Sequence, residues 1–130
     1  MPVSYMIDKK HRLILTIGDG SVTVSEIRNH QDRLLSDPDF DPAFNQLIDV
    51  TTATRFDMSV DEAKQVALRP IVSPKSKRAF VASKPDIYGM GRLMQVHHEP
   101  FAEAQVFRDR KSALKWLGFN DDSDLLDNSN

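Results

Sequence analysis

Apolar and polar positions along the chain fall into two alternating periods. Val3 to Ile7 and Arg12 to Ile17 are short β-rich runs on either side of the polar Asp8-Lys9-Lys10-His11, the spacing of an antiparallel hairpin. The second run, Leu13-Ile14-Leu15-Thr16-Ile17, is almost continuously apolar, as an inner strand covered on both faces requires. Gly18-Asp19-Gly20-Ser21 is expected to break it. From Thr23 to about Ser36 the period becomes helical, with Val24, Ile27, Leu34 and Leu35 on one face. Thr23 and Glu26 have the offset of a capping box, in which the hydroxyl accepts from the Glu26 amide and the carboxylate accepts from the Thr23 amide. Val22 and Ile27 stand where a hydrophobic staple would, and Asp37-Pro38-Asp39-Phe40-Asp41-Pro42 turns the chain back.

The alternation then repeats. Gln46 to Val50 predicts a third strand, followed by a polar loop and a helix opened by Ser59 and Glu62, a second capping box, and ended by Pro70. Arg78 to Ser83 predicts a fourth strand. Pro85, whose missing amide costs little in a first turn, starts a third helix running to about His98. Ala104 to Phe107 is the fifth strand, Asp109 caps a short last helix, and Gly118 is its expected C′ residue. The order ββαβαβαβα predicts an α/β fold with a five-stranded, mostly parallel sheet, an antiparallel N-terminal hairpin strand and four helices. Right-handed crossovers would place helices on both sides. Strand order is not written in the spacing.

Composition narrows the class. The 130 residues, 40% apolar and 28% charged, have the make-up of one globular domain, expected over residues 1–119. Residues 120–130 read as an acidic, disordered tail: Asp121, Asp122, Asp124 and Asp127 stand there without a basic residue, which leaves +2 of the net −2 on the rest. That balance and the small Lys75, Lys77, Arg78 cluster argue against nucleic acid as a partner. Cysteine is absent, so disulfides and thiolate chemistry are excluded. Met1 to Asp8 shows no basic-then-apolar leader and no segment approaches the roughly 18 apolar residues of a membrane span, so the expected address is the cytoplasm.

Candidate chemistry is sparse. Ligands of open α/β sheets bind beyond the carboxyl ends of the parallel strands. That rim would gather Gly18, Asp19 and Gly20 with Thr51, Thr52, Thr54, Ser83 and Lys84, a set suited to a small anion or polar head group; loop and cap chemistry demands the same residue types. Asp49, Asp57 and Asp61 carry no spacing that pairs them as acid and base, and no catalytic residue is assigned. His97-His98-Glu99 places its histidines about 100° apart on a helix, unlike the i, i+4 pairs that share a metal, so no metal or other cofactor is expected. Gly89-Met90-Gly91 lies within a helix, where each glycine costs about 1 kcal/mol against alanine. With Tyr88, Leu93 and Met94 beside them, these glycines mark a face packed on the sheet, on a second copy of the chain, or on an apolar ligand that Tyr88 helps to hold.

Several stretches together resemble a known family. Leu47-Ile48-Asp49-Val50 leading to Phe56-Asp57-Met58-Ser59, Arg78-Ala79-Phe80-Val81-Ala82-Ser83 followed by Tyr88-Gly89-Met90-Gly91-Arg92-Leu93, and Val106-Phe107-Arg108-Asp109 with Ala113-Leu114-Lys115-Trp116-Leu117-Gly118 are similar to bacterial STAS-like proteins, in particular their SpoIIAA-like branch. The resemblance spans roughly residues 3 to 118. It implies a non-catalytic domain that regulates through protein–protein contact or holds a small ligand. The related Sec14-type architecture implies the alternative, a carrier of a lipid-like or apolar molecule. The family's phosphorylated serine directly follows an aspartate, which here is Asp57. Met58 stands at that place without a hydroxyl, and Ser59 one residue on is the nearest candidate phosphosite, as well as a plain N-cap.

Overall fold

Asp8 and Leu13 pair across a four-residue turn, Lys9 to Arg12, in which Arg12 takes φ 54°. The buried Asp8 carboxylate holds the turn, accepting from the His11 amide at 3.1 Å and facing the His11 ring at 2.7 Å. From this hairpin the computed structural model, which describes residues 2–69, 71–98 and 103–120 and only the backbone of Met94, His97 and His98, builds one sheet. Its strands are β1 (Val3–Asp8), β2 (Leu13–Thr23), β3 (Asn45–Asp57), β4 (Lys77–Val81) and β5 (Glu103–Phe107). The helices are α1 (Val24–Ser36), α2 (Val60–Leu68), α3 (Pro85–His98) and α4 (Arg110–Trp116). Pro70, Glu99 and the segment from Asp121 onward lie outside the described residues.

The five strands lie in the order of the chain, β1-β2-β3-β4-β5, with the first pair antiparallel and the rest parallel. Every crossover therefore steps the same way across the sheet. A right-handed connection repeated in one direction leaves α1, α2 and α3 on the same face. Ile14, Ile48, Phe80, Ala104 and Val106 point to that face and pack with Leu34, Ile87 and Tyr88 from the helices. Among the described residues, the opposite face presents Leu13, Leu15, Leu47, Ala79 and Val81 to α4 and the residues just after it, through Ala113, Leu114 and Leu117, with Phe119 packed beside them. Leu13, Ile14 and Leu47 are at most 1% exposed, and burial of each such side chain contributes roughly 1.5–3 kcal/mol.

Local signals place the helix ends. Both capping boxes form: Glu26 N donates to Thr23 Oγ1 at 3.2 Å and Glu62 N to Ser59 Oγ at 3.1 Å, while each glutamate accepts from its cap's amide. Asp109 accepts from Ser112 N, and Gly118 follows the end of α4 at φ 98°.

Two strand ends differ from the sequence expectation. Gly18-Asp19-Gly20-Ser21 does not break β2, and β3 does not stop at Val50. Each strand continues and pairs with the other as far as Thr23 and Asp57. The pairing register shifts twice along the way, between Ile17 and Asp19 and between Gly20 and Ser21. Gly20 takes φ 64° there, and a side chain on Gly18 would meet Val50 Cγ1 at 3.0 Å. The glycines that read as a turn instead absorb irregular pairing inside a strand. β4 pairs only with Gln46 to Asp49, so the far half of β3 has β2 as its one strand neighbour among the described residues.

Candidate functional site

Helices α1, α2 and α3 bridge the sheet over a cavity of about 70 Å³. Most of its wall is apolar: Val50 and Phe56 from β3, Phe80 from β4, Val66 from α2 and Ile87 from α3. Gly91 also lines it, packed so close to β5 that an added Cβ would lie 3.4 Å from Val106 Cγ1.

One side of the wall is polar and buried. Thr16, Gln46 and Arg78 stand on the helix-facing side of three adjacent strands, and His30 and Gln31 reach down from α1. Arg78 Nε donates to Gln46 Oε1 at 2.9 Å, Gln46 Nε2 donates to Thr16 Oγ1 at 2.8 Å, and His30 Nε2 lies 3.1 Å from the same hydroxyl. The direction of this chain follows from its first member. A guanidinium only donates, so Gln46 must turn its carbonyl to Arg78 and its amide to Thr16, and the threonine proton is left for a neutral His30. Gln31 is held separately, donating to Val66 O at 3.1 Å and accepting from Arg69 at 3.2 Å.

Burial governs the two ionisable members. Desolvation, reinforced by Arg33 and Arg78, lowers His30 from 6.5 to about 4, so the ring is neutral at neutral pH. Desolvation also lowers Arg78, to about 10, which leaves it charged. Among the described residues that line the cavity, one is a cation and none is a carboxylate.

Gly18 and Gly91 line the cavity, and the other sequence-predicted site residues lie apart from it. Thr51, Thr52 and Thr54 belong to β3 rather than to a loop beyond it. Thr51 Oγ1 donates to Asp49 Oδ1 at 2.7 Å, Asp49 pairs with Arg110 at 3.1 Å, and Lys84 Nζ donates to Thr51 O at 3.2 Å. Thr51, Lys84, Asp49 and Arg110 thus form one surface cluster. Thr52 makes a long contact to Gly18 O, Thr54 lies exposed further along β3, and Ser83 is exposed between β4 and α3. Tyr88, half-buried, has the Arg108 guanidinium 4.2 Å from its ring centroid. Of the candidate interface on α3, Gly91 is buried on the sheet, Gly89 is exposed, Met90 and Leu93 are half-buried, and the Met94 side chain lies outside the described residues. Ser59 is exposed, its oxygen engaged as the cap of α2.

Thr16, His30 and Gln46 were not singled out by sequence reasoning, and Arg78 entered it only as a member of the small basic cluster, whereas it is buried here. The available signal was parity: a polar residue at an inward position in each of three strands, Gln46 preceding Ile48 and Val50 being the plainest. The histidines of the third helix fall where side chains are not described. Among the described residues no three His, Asp or Glu side chains gather for a metal, and no helix is long and apolar enough to cross a membrane.

A sequentially ordered five-stranded sheet, with an antiparallel first strand, three helices on one face and one on the other, defines the SpoIIAA-like class of α/β domain. An uncharacterized protein of the DUF3478 family from Shewanella loihica PV-4, described as having a SpoIIAA-like fold, superposes on the chain with a TM-score of 0.58. The match covers 88% of this chain and 91% of that one at 17% identity, which shows a shared fold. No protein family's sequence pattern matches the chain, and no curated protein matches it.

Proposed function

We propose that this domain is non-catalytic and works by holding a small ligand in the cavity beneath α1, α2 and α3. The observation that carries the reading is the wall itself. A cavity with an apolar lining and a few convergent polar groups is the form that small-molecule sites take. Here the polar groups run in a connected line, Arg78 to Gln46 to Thr16 to His30, along one side of an otherwise apolar space. Hydrophobic side chains at those strand positions would fill the space and need no partners.

Volume favours a small guest over a lipid. An apolar cavity of about 150 Å³ accommodates benzene, so about 70 Å³ suits a molecule of roughly three to six non-hydrogen atoms once the walls adjust. Pockets for larger ligands run to about 300–1,000 Å³. A lipid-like guest would require α3 to move away from β5.

The test is a methyl-detected NMR screen of small fragments against the full chain and an Ala67→Leu variant, whose longer side chain enters the same space. Saturable shifts at Val50, Val66 and Ile87 in the parent, lost in the variant, are the expected result. Shifts confined to exposed residues, or none at any fragment concentration, would remove the proposal.

A further inference from the structure

Helix α1 contributes Ile27, His30 and Gln31 to the wall of the cavity. We infer that α1 is a releasable cover over that space: the Thr16–His30 hydrogen bond latches it, and a proton taken up by His30 releases it.

The seating of α1 differs from that of its neighbour. Its fully buried residues are His30, Gln31 and Leu34, so one of the three is apolar, whereas α2 buries Ala63, Val66 and Ala67. Toward α2 it makes polar contacts, Gln31 Nε2 donating to Val66 O at 3.1 Å and Arg28 donating to Gln65 at 2.9 Å. A helix seated on few buried apolar side chains opens locally, ahead of the rest of the fold. The polarity of the buried line makes His30 the latch. Arg78 can only donate, whatever else it bonds, so donation runs from Arg78 to Gln46 to Thr16 and ends on His30. A protonated ring has two N–H donors and no acceptor. Thr16 would then face donors from both Gln46 and His30, and its own proton would lose its acceptor in the line. Among the described residues, the other groups facing the ring offer a cation no substitute. Tyr5 meets it edge-on from β1, with ring centroids 5.5 Å apart, and commits its hydroxyl to Asp37 at 2.7 Å. Arg33 on α1 and Arg78 on β4 are cations that repel a charged ring. Moving α1 outward places the ring in water, which accepts from either nitrogen. Burial and the two arginines lower the closed ring from 6.5 to about 4, so acid favours the open form.

The cover needs no guest, and native-state hydrogen exchange of the full chain without any ligand tests it apart from the ligand site. Amides of α1 from Ile27 to Leu34, and of the sheet at Leu13 and Leu47, are followed across low denaturant concentrations at pH 7 and pH 5. Each rate is corrected for the intrinsic exchange at its pH. The α1 amides are expected to exchange through an opening smaller than global unfolding, with little denaturant dependence. With the ring at about 4 closed and 6.5 open, that opening constant should rise about twentyfold from pH 7 to pH 5. His30→Gln keeps an acceptor for Thr16 and cannot be protonated, so its rise should vanish. Exchange of α1 only together with Leu13 and Leu47, at the same free energy and denaturant slope, would overturn the cover. An α1 opening of unchanged constant between the two pH values, or one that rises equally in parent and variant, would overturn the latch. If the variant is too unstable to follow, the parent decides: a pH-independent opening of α1 already refutes the role of the proton.

Discussion

Acidifying the solution from pH 7 to pH 5 should cost this protein about 2 kcal/mol of stability through His30 alone. In the folded state the ring is buried beneath α1, 3.1 Å from Thr16 and edge-on to Tyr5, and protonates only near pH 4. In the unfolded chain it protonates near 6.5. Between those values the unfolded state binds more protons, so stability rises with pH. The contribution is fully present above about pH 6.5 and is lost progressively as pH falls toward 4. One pH unit within the window corresponds to about 1.4 kcal/mol, and integrating from 7 to 5 with the unfolded group already partly charged gives about 2 kcal/mol. Carboxylates held below their usual range, such as Asp109 at the start of α4, give up their contribution at lower pH and leave this interval largely to the histidine. Guanidinium unfolding at pH 7, 6 and 5, followed by the fluorescence of the single tryptophan, Trp116, measures the slope. His30→Gln keeps an acceptor for Thr16 and removes the titration, so its slope should be flatter by that amount whatever its absolute stability. NMR titration of the parent imidazoles supplies a second readout. A His30 resonance that titrates near 6.5 in the folded protein, or equal slopes for parent and variant, would refute the reasoning.

Three further outcomes are expected from the helices. Thr23→Ala and Ser59→Ala each remove the acceptor of a formed capping box and should each lower stability by about 1 kcal/mol in denaturant titrations; no change for Ser59→Ala would mean that Glu62 alone holds the start of α2. Gly89→Ala should stabilise by roughly 0.5–1 kcal/mol, since an added Cβ there meets nothing within 4 Å, and a loss on the same assay would show that the glycine serves an untested contact. Gly118→Ala should destabilise by about 1 kcal/mol or more, because φ 98° is open to glycine and strained for alanine, and an unchanged unfolding midpoint would contradict that.

The features legible in the sequence are those written into neighbouring residues. Thr23 with Glu26, Ser59 with Glu62, Asp109 and Gly118 each carry their instruction within a few positions, and every helix end they predict is present. The element order followed from the same signals. The far halves of β2 and β3 were not legible, because what makes Gly18 to Ser21 extended is the ladder with Thr52 to Phe56, more than 30 residues away. Locally those glycines carry turn chemistry. The cavity wall was hidden for a related reason. Thr16, His30 and Gln46 are unremarked singly, Arg78 reads as one of a small basic cluster, and the four become a connected line only once strands two, three and four are known to lie side by side. The threonine rim drew notice because hydroxyls after a strand are conspicuous in a sequence, whereas polar residues facing inward are conspicuous only in three dimensions.

The order of the sheet also has a bearing on how the chain acquires its shape. Because strand follows strand across the sheet, each new strand emerging during synthesis finds its neighbour already made. No strand has to be inserted between two that formed earlier, as happens when a sheet grows outward from its middle in both directions. Beside the outer edge of β1, the growing edge is the exposed ladder at each stage, and the next helix follows to cover the face beside it. The cost falls at the end. The helix-free face waits for α4, the last helix, whose residues Ala113, Leu114 and Leu117 cover Leu13, Leu47 and Val81. A nascent chain halted before residue 110 would therefore carry a nearly complete sheet with one greasy side bare, the state in which such an intermediate meets chaperones or aggregates.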